Sequence, residues 1–229
     1  MAQSLIGVAV DGPTAVLTLD RPAKLNALNR ELLADLDAAL DRIEREPHVR
    51  VVVLRGSGRA FSVGLDLAMV AEEGVATDFF ALQERVYRRV EALPAVTVAL
   101  LHGYCLGGGI QLALTADVRI CRADTKLGMP SVADGMFPGL MPYRLARTVG
   151  SRAAVRMMLA GGDLAAEDAY RAGLVDHLVP DDAAAESLIA PYRSAPHDVP
   201  LTKKLIGHGL AGAYATAYDD CLSALKGAR

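Results

Sequence analysis

The chain is poor in the features that mark several whole classes of protein. Its 229 residues hold three cysteines, Cys105, Cys121 and Cys221, far apart and with no CxxC pair. So few, in an odd and scattered set, argue against a disulfide framework and read as free thiols of a cytoplasmic protein. The five histidines show neither HxxxH nor HExxH spacing, so no metal site is expected. No apolar run reaches the roughly eighteen residues of a membrane span. The opening MAQSLIGVAVDGP has no basic leader and no cleavage pattern, and export is not expected. Formal net charge is −3 without any block of like charge, which leaves no electrostatic footprint for nucleic acid or an anionic membrane. Internal repeats and low-complexity linkers are absent too.

What is there suits one well-buried core, with 52% hydrophobic and 22% charged residues. Two alternating segments, about Ile6 to Val10 and Ala15 to Leu19, flank the turn signal Asp11-Gly12-Pro13 and predict a hairpin. Asn29 can cap a helix in which Leu32, Leu33, Leu36, Leu40 and Ile43 recur at helical spacing. Val51 to Leu54 reads as a fully buried strand. A second amphipathic helix runs from about Asp78 to Leu93 and stops at Pro94. A buried strand, Val96 to Leu101, then leads into His102-Gly103-Tyr104-Cys105-Leu106-Gly107-Gly108-Gly109. A strand over Val118 to Cys121 precedes a Gly/Pro-rich loop that reaches Pro142, and helical patterns follow from Tyr143 to about Ala172. Beyond Val179-Pro180 the pattern is helical, with a break near Ala195-Pro196. Strands alternating with helices predict an α/β fold on a largely parallel sheet. The expected organisation is a core domain over 1–182 and a helical extension over 183–229.

Four segments, in order, carry a family resemblance. They are Leu19 to Leu28 (LDRPAKLNAL), Arg59 to Leu67 (RAFSVGLDL), His102 to Gln111 (HGYCLGGGIQ) with Ala116 to Ile120, and Phe137-Pro138-Gly139 with Arg147 to Gly150 and Ala172 to Asp176. Together they resemble the crotonase (enoyl-CoA hydratase/isomerase) family. The resemblance implies a crotonase-like fold of ββα repeats with a short helical C-terminal extension. It also implies a cytoplasmic homotrimer or dimer of trimers, and an acyl-CoA or other acyl-thioester substrate. Coenzyme A would arrive as part of that substrate, with no separate cofactor.

The chemistry of such a substrate gives the glycines a purpose. Losing an α-proton, a carboxyl group or another leaving group sends charge onto the thioester oxygen. Two preorganised backbone N–H donors can hold it, and losing one such donor typically raises the barrier by about 3–4 kcal/mol. Glycine at a donor position lets substrate approach the backbone. The family's two donors fall here on Leu65 and Gly108. The helix opened by the glycines would add a dipole contribution of roughly 0.3–1 kcal/mol. By the same resemblance Arg21 and Lys24 lie where phosphate and pantetheine are contacted, Ala60 and Leu67 lie around the adenine pocket, and Asp66 caps the next turn.

The family pattern also breaks. Its hydratases carry two glutamates, which fall here on Gln111 and on Ser131 after Met129-Pro130. An amide and an unassisted hydroxyl have no accessible pKa near 7, so neither serves as a general base. Gln111 is left as a neutral hydrogen-bond partner for a carbonyl or carboxylate. Asp134, three residues past Ser131, and Tyr143 are the remaining candidates for moving a proton. The loop Pro138 to Arg144 is one residue shorter than the hydratase version, and the C-terminal part after Pro180, about fifty residues, is shorter too. The stretch from Met129 to Gly150 loosely resembles crotonase-like accessory proteins of secondary metabolism. The expected activity is an isomerase, lyase, hydrolase or decarboxylase reaction rather than ordinary enoyl-CoA hydration. The alternative is an acyl-thioester-binding or partner subunit of the same fold with no chemistry of its own.

Overall fold

A computed structural model describes residues 4–129, 135 and 137–194, together with Val199, Thr202, Lys203, Tyr218, Asp219, Leu222, Ser223 and Lys226. The chain opens as the expected hairpin, β1 (Ile6–Asp11) pairing antiparallel with β2 (Thr14–Leu19). Helix α1 (Arg30–Ile43) starts where Asn29 Oδ1 accepts from Leu32 N at 2.9 Å, and its leucine stripe is buried. Strands β3 (Val51–Gly56) and β4 (Ala60–Ser62) lead to α2 (Leu67–Glu73) and α3 (Thr77–Ala92). Then β5 (Val96–Leu101) and β6 (Tyr104–Leu106) lead to α4 (Gly108–Ala113). Strands β7 (Val118–Arg122) and β8 (Lys126–Gly128) follow, and then α5 (Met141–Val149) and α6 (Ser151–Ala160). The described core closes with β9 (Asp163–Ala165), α7 (Ala166–Arg171), β10 (His177–Val179) and α8 (Asp182–Ile189).

Among the described residues ten strands make two sheets. The larger has the order β1-β2-β3-β5-β7-β10 and is parallel from β2 onward. The smaller, β4-β6-β8-β9, is parallel except for its last strand. Each long strand β3, β5 and β7 thus hands the chain to a short one in the second sheet, which is the repeated ββα unit. Strand β5 is buried at all six positions because helices or the second sheet cover one face and α8 the other. That explains its unbroken apolar run, since a strand covered on both sides has no polar face to alternate.

One expectation needs correcting. The helical pattern over Tyr143 to Ala172 is not continuous, because Gly161 and Gly162 both take positive φ, 61° and 80°, and end α6. The three residues that follow pair with β8 as an edge strand. The second sheet was not foreseen either; its strands are three residues each, too short for an alternation to register. The expected boundary after residue 182 falls in the first turn of α8, whose Ala185 and Ile189 pack on Val51, Val53 and Val98. Among the described residues no helix is long and apolar enough to cross a membrane.

Candidate active site

A cavity of about 380 Å³ opens between α2, α3, the start of α4 and the segment before α5. Its first wall is backbone. Asn26 builds it: fully buried with φ 57°, it accepts from Arg21 N at 2.9 Å and donates through Nδ2 to Ser57 O and Ala60 O at 2.9 and 2.8 Å. Asparagine tolerates that left-handed backbone better than most residues, and every polar atom of its buried amide is used. Ser62 adds a hydroxyl that donates to Asn26 O at 2.8 Å and accepts from Gly64 N at 3.2 Å. Leu28 N donates to Gly64 O and Asp66 N to Leu28 O, so residues 26–28 clamp the loop 62–66. The Asn-Ala-Leu motif is therefore a brace for the second motif.

That brace brings Gly64 against the glycine turn. A Cβ on Gly64, whose φ is 88°, would lie 2.8 Å from Gly108 N. One on Gly109 would collide with the Ser62 carbonyl. One on Gly108 would meet Gly64 Cα at 3.4 Å and Leu65 N at 3.5 Å, and would fill the gap between the two loops. The strict steric demand thus sits on Gly64 and Gly109, while at Gly108 glycine keeps that gap open. No described group accepts from the N–H of Leu65 or of Gly108. The first residue of a helix has no intrahelical acceptor, and Gly108 holds that place in α4. Two unsatisfied donors at the edge of one cavity can bind an oxygen that gains negative charge. The expected dipole contribution is small here, because α4 has only six residues to sum.

The second wall is made of side chains. Gln111 Nε2 donates to Glu84 Oε1 at 2.8 Å, and Arg144 Nη1 donates to the same oxygen at 3.1 Å. Arg144 Nη2 lies 2.9 Å from Glu84 Oε2 but off the hydrogen-bond axis, so that contact is ionic. Arg144 Nε reaches Glu91 at 2.8 Å. Burial opposes the charge on Arg144, but Glu84 and Glu91 outweigh it and raise its pKa. Beside this group Gln83 Nε2 donates to Tyr87 Oη at 3.1 Å, and Tyr87 donates to Gly108 O at 3.2 Å. Burial pushes the Tyr87 phenol up, so it stays a donor.

The expected site residues divide accordingly. Leu65, Leu67, Gly108 and Gln111 line the cavity. Tyr143 is half-buried against Phe80 and Leu140, with its hydroxyl 3.3 Å from Arg147, outside the lining. Ala60 is fully buried in β4, and Lys24 is exposed in a short 3-10 turn. Arg21 is 2.6 Å from Asp66 and also donates to Ala27 O. Asp66 caps α2 by accepting from Ala68 N at 3.0 Å. Burial alone would raise its pKa, but the hydrogen bonds from Arg21 and Ala68 hold the carboxyl below the usual range. Ser131 and Asp134 lie outside the described residues. Among the described residues that line the cavity, none is ionisable.

Gln83, Glu84, Tyr87 and Arg144 were missed as site residues. One signal was available: Phe80, Glu84, Tyr87 and Glu91 recur at i, i+4, i+7 and i+11, which puts two carboxylates on the period of an apolar stripe.

Residues 11–201 match the family model described as Enoyl-CoA hydratase/isomerase. The chain is 33% identical over 208 residues to the short-chain-enoyl-CoA hydratase of Clostridium acetobutylicum, covering 87% of this chain and 80% of that protein. It is 36% identical over 172 residues to the 2,3-dehydroadipyl-CoA hydratase of Escherichia coli, covering 75% and 68%. An enoyl-CoA hydratase structure from Thermoplasma volcanium superposes with a TM-score of 0.86 at 31% identity, over 97% of this chain and 92% of that one.

Proposed function

The chain belongs to the enoyl-CoA hydratase/isomerase family and has its crotonase fold, and from that premise we propose that it is an enzyme that stabilises the enolate of an acyl-CoA or other acyl thioester. The observation that carries this reading is the pair of N–H groups on Leu65 and Gly108, both without acceptors, at the edge of a mostly apolar cavity. The thioester oxygen would sit between them, and charge arriving there would meet donors that need no rearrangement. Arg21, Lys24, Ala60 and Leu67 are proposed for the coenzyme A end. Lys24 is the exposed cation among them, while Arg21 can give a ligand only what its pairing with Asp66 leaves over.

The reaction we assign is not ordinary hydration but an isomerase, lyase, hydrolase or decarboxylase type. Activating water needs a base, and the described lining offers Gln83 and Gln111 as its polar side chains. Asp134 is the first side chain to test as the proton carrier. A second reading, a thioester-binding subunit without chemistry, is favoured by the lack of an ionisable group in that lining. In either case a trimer or pair of trimers is proposed, for which Val155 and Leu159, one turn apart and more than half exposed on α6, offer an apolar contact. A cytoplasmic setting suits Cys105 and Cys121, which are buried and unpaired.

A panel of acyl-CoAs, followed for binding and for turnover, tests these readings together. Crotonyl-CoA hydration should be negligible, since each missing acid or base removes about 10²–10⁴-fold of rate. Hydratase-level turnover would overturn the non-hydratase assignment. Gly108→Val should abolish turnover while the fold survives. A folded variant with normal activity would remove the two-donor site. Asp134→Asn separates a proton carrier from a turn residue, and full activity of that variant would clear Asp134 of the role.

A further inference from the structure

The glycine turn that carries the Gly108 donor offers its neighbours little to grip except its peptide groups. Gly107 N donates to Gly128 O on β8 at 2.9 Å, and Gly107 O accepts from Gln111 N inside α4 at 3.2 Å. Gly108 O accepts from the Tyr87 hydroxyl on α3 at 3.2 Å. The Gly108 N–H belongs to the peptide whose oxygen is Gly107 O, and Gly108 O belongs to the next peptide. Holding both planes fixes φ and ψ of Gly108, and with them the direction of its N–H. Among the described residues Tyr87 supplies the one side-chain hydrogen bond to residues 107–109.

Tyr87 is itself firmly placed. Its side chain is fully buried, and the Arg144 guanidinium on α5 lies 5.4 Å from its ring centroid. Gln83 Nε2 donates to the phenol oxygen at 3.1 Å, which leaves the phenol proton for the Gly108 carbonyl, a group that can only accept. Burial raises the phenol pKa and keeps that proton in place at neutral pH. For packing alone phenylalanine would serve at this depth, without the cost of taking a hydroxyl out of water. The hydroxyl is spent instead on the residue whose N–H borders the cavity.

We propose that Tyr87 is a positioning residue for enolate stabilisation. Its hydroxyl holds the peptide that follows Gly108 and so aims the Gly108 N–H at the thioester oxygen, as Asn26 braces the loop of the Leu65 donor. Tyr87 does not line the cavity and touches no substrate. The inference rests on the two-donor reading of the cavity and adds a residue to it.

The test uses dethia butyryl-CoA, in which methylene replaces the thioester sulfur, labelled with carbon-13 at the carbonyl. The resonance of that carbon moves downfield as its oxygen accepts stronger hydrogen bonds, and no turnover is needed to read it. Bound to the wild type, the resonance should stand downfield of its position in water. Bound to Tyr87→Phe, it should lose about half of that displacement, because one of the two donors is then misdirected. Phenylalanine fills the same space, so the fold is kept, and affinity for the analogue should fall by less than about 5-fold. For the best substrate of the acyl-CoA panel, kcat should fall about 10-fold and KM should change by less than about 3-fold. A 3-fluorotyrosine placed at position 87 alone keeps the hydroxyl and should restore both the displacement and kcat. A Tyr87→Phe protein with the full wild-type displacement, whatever its stability in urea, overturns this inference and leaves the two-donor site standing. So does a fluorotyrosine protein whose displacement is halved. If the wild type fails to bind the analogue, or binds it without displacement, the two-donor reading and this inference fail together.

Discussion

One wall of the cavity is made where backbone meets backbone, and the other where side chains meet across helices. In the first, residues 26–28 and 62–66 close on the glycine turn through main-chain bonds, and the side chains of Asn26 and Ser62 are both used up in bracing it. In the second, α3, α4 and α5 contribute Glu84, Gln111 and Arg144 to one buried polar group. A backbone wall is set by how closely its loops approach, so added atoms at Gly64 or Gly109 disturb it most. A side-chain wall tolerates changes of size but depends on every partner being present, because a buried charge left alone is the costly state. Chemistry is proposed at the first wall.

The largest effect should come from breaking the side-chain wall at its cation. Arg144→Met takes from Glu84, which has no exposed surface, the guanidinium that lies 2.9 Å from its Oε2. Removing one partner of such a pair costs about 3–5 kcal/mol, readable as a shift of the urea midpoint at unchanged slope. Adding Glu84→Gln should recover most of the loss, since the orphaned charge is then gone. A loss under about 1 kcal/mol in the single variant would mean the group is more open to solvent than its burial indicates.

Next in size is the backbone wall, broken at Gly64. Alanine there has to adopt φ near 88° and place its Cβ 2.8 Å from Gly108 N. The left-handed conformation alone costs about 1–2 kcal/mol, and the close contact adds displacement of the glycine turn. Gly12→Ala is the matched control, with positive φ and nothing within 4 Å of the added carbon. Gly64→Ala should therefore lose more stability than Gly12→Ala and should lose thioester turnover as well. Equal losses, with turnover kept, would show that the two loops can separate without consequence.

The two walls also differ in how far they can be read before folding. Motifs such as RPxxxNAL and AFxxGxDL lie in continuous stretches, and their glycines and asparagine state a backbone demand residue by residue. The family resemblance of those stretches is what pointed to Leu65 and Gly108 as donors, and the cap it implied at Asp66 is present. The hairpin, α1 and the central strands were legible for a related reason, because each carries enough turns or alternations to show its period. Glu84 and Arg144 are sixty residues apart in the chain, and each taken singly looks like a charge on an amphipathic helix. Only packing α3 against α4 and α5 makes them partners. Arg21 shows the same limit from the other side: its motif suggests a ligand contact, whereas its pairing with Asp66 depends on a loop forty-five residues away.

That pair sets the smallest and most specific test, asking whether the backbone wall owes anything to charge. Asp66→Asn keeps the helix cap, since asparagine caps as well as aspartate, and removes only the ion pair with Arg21. The two side chains are 19% and 11% exposed, so solvent screening limits the pair to about 1 kcal/mol. Its pH dependence has a definite sign. The folded carboxyl is held below its ordinary value, near 3.9 in an unfolded chain, so the protein gains from Asp66 only while the group is ionised. The advantage of the wild type over Asp66→Asn should be constant from neutral pH down to about 5, then shrink below about 4 and vanish as pH falls through the folded value. Parallel urea titrations of both proteins at several pH values measure it. A difference that already fades between pH 7 and 5 would show that the carboxyl is not depressed, and one that never appears would show that hydrogen bonds between main-chain groups hold this wall without help from charge.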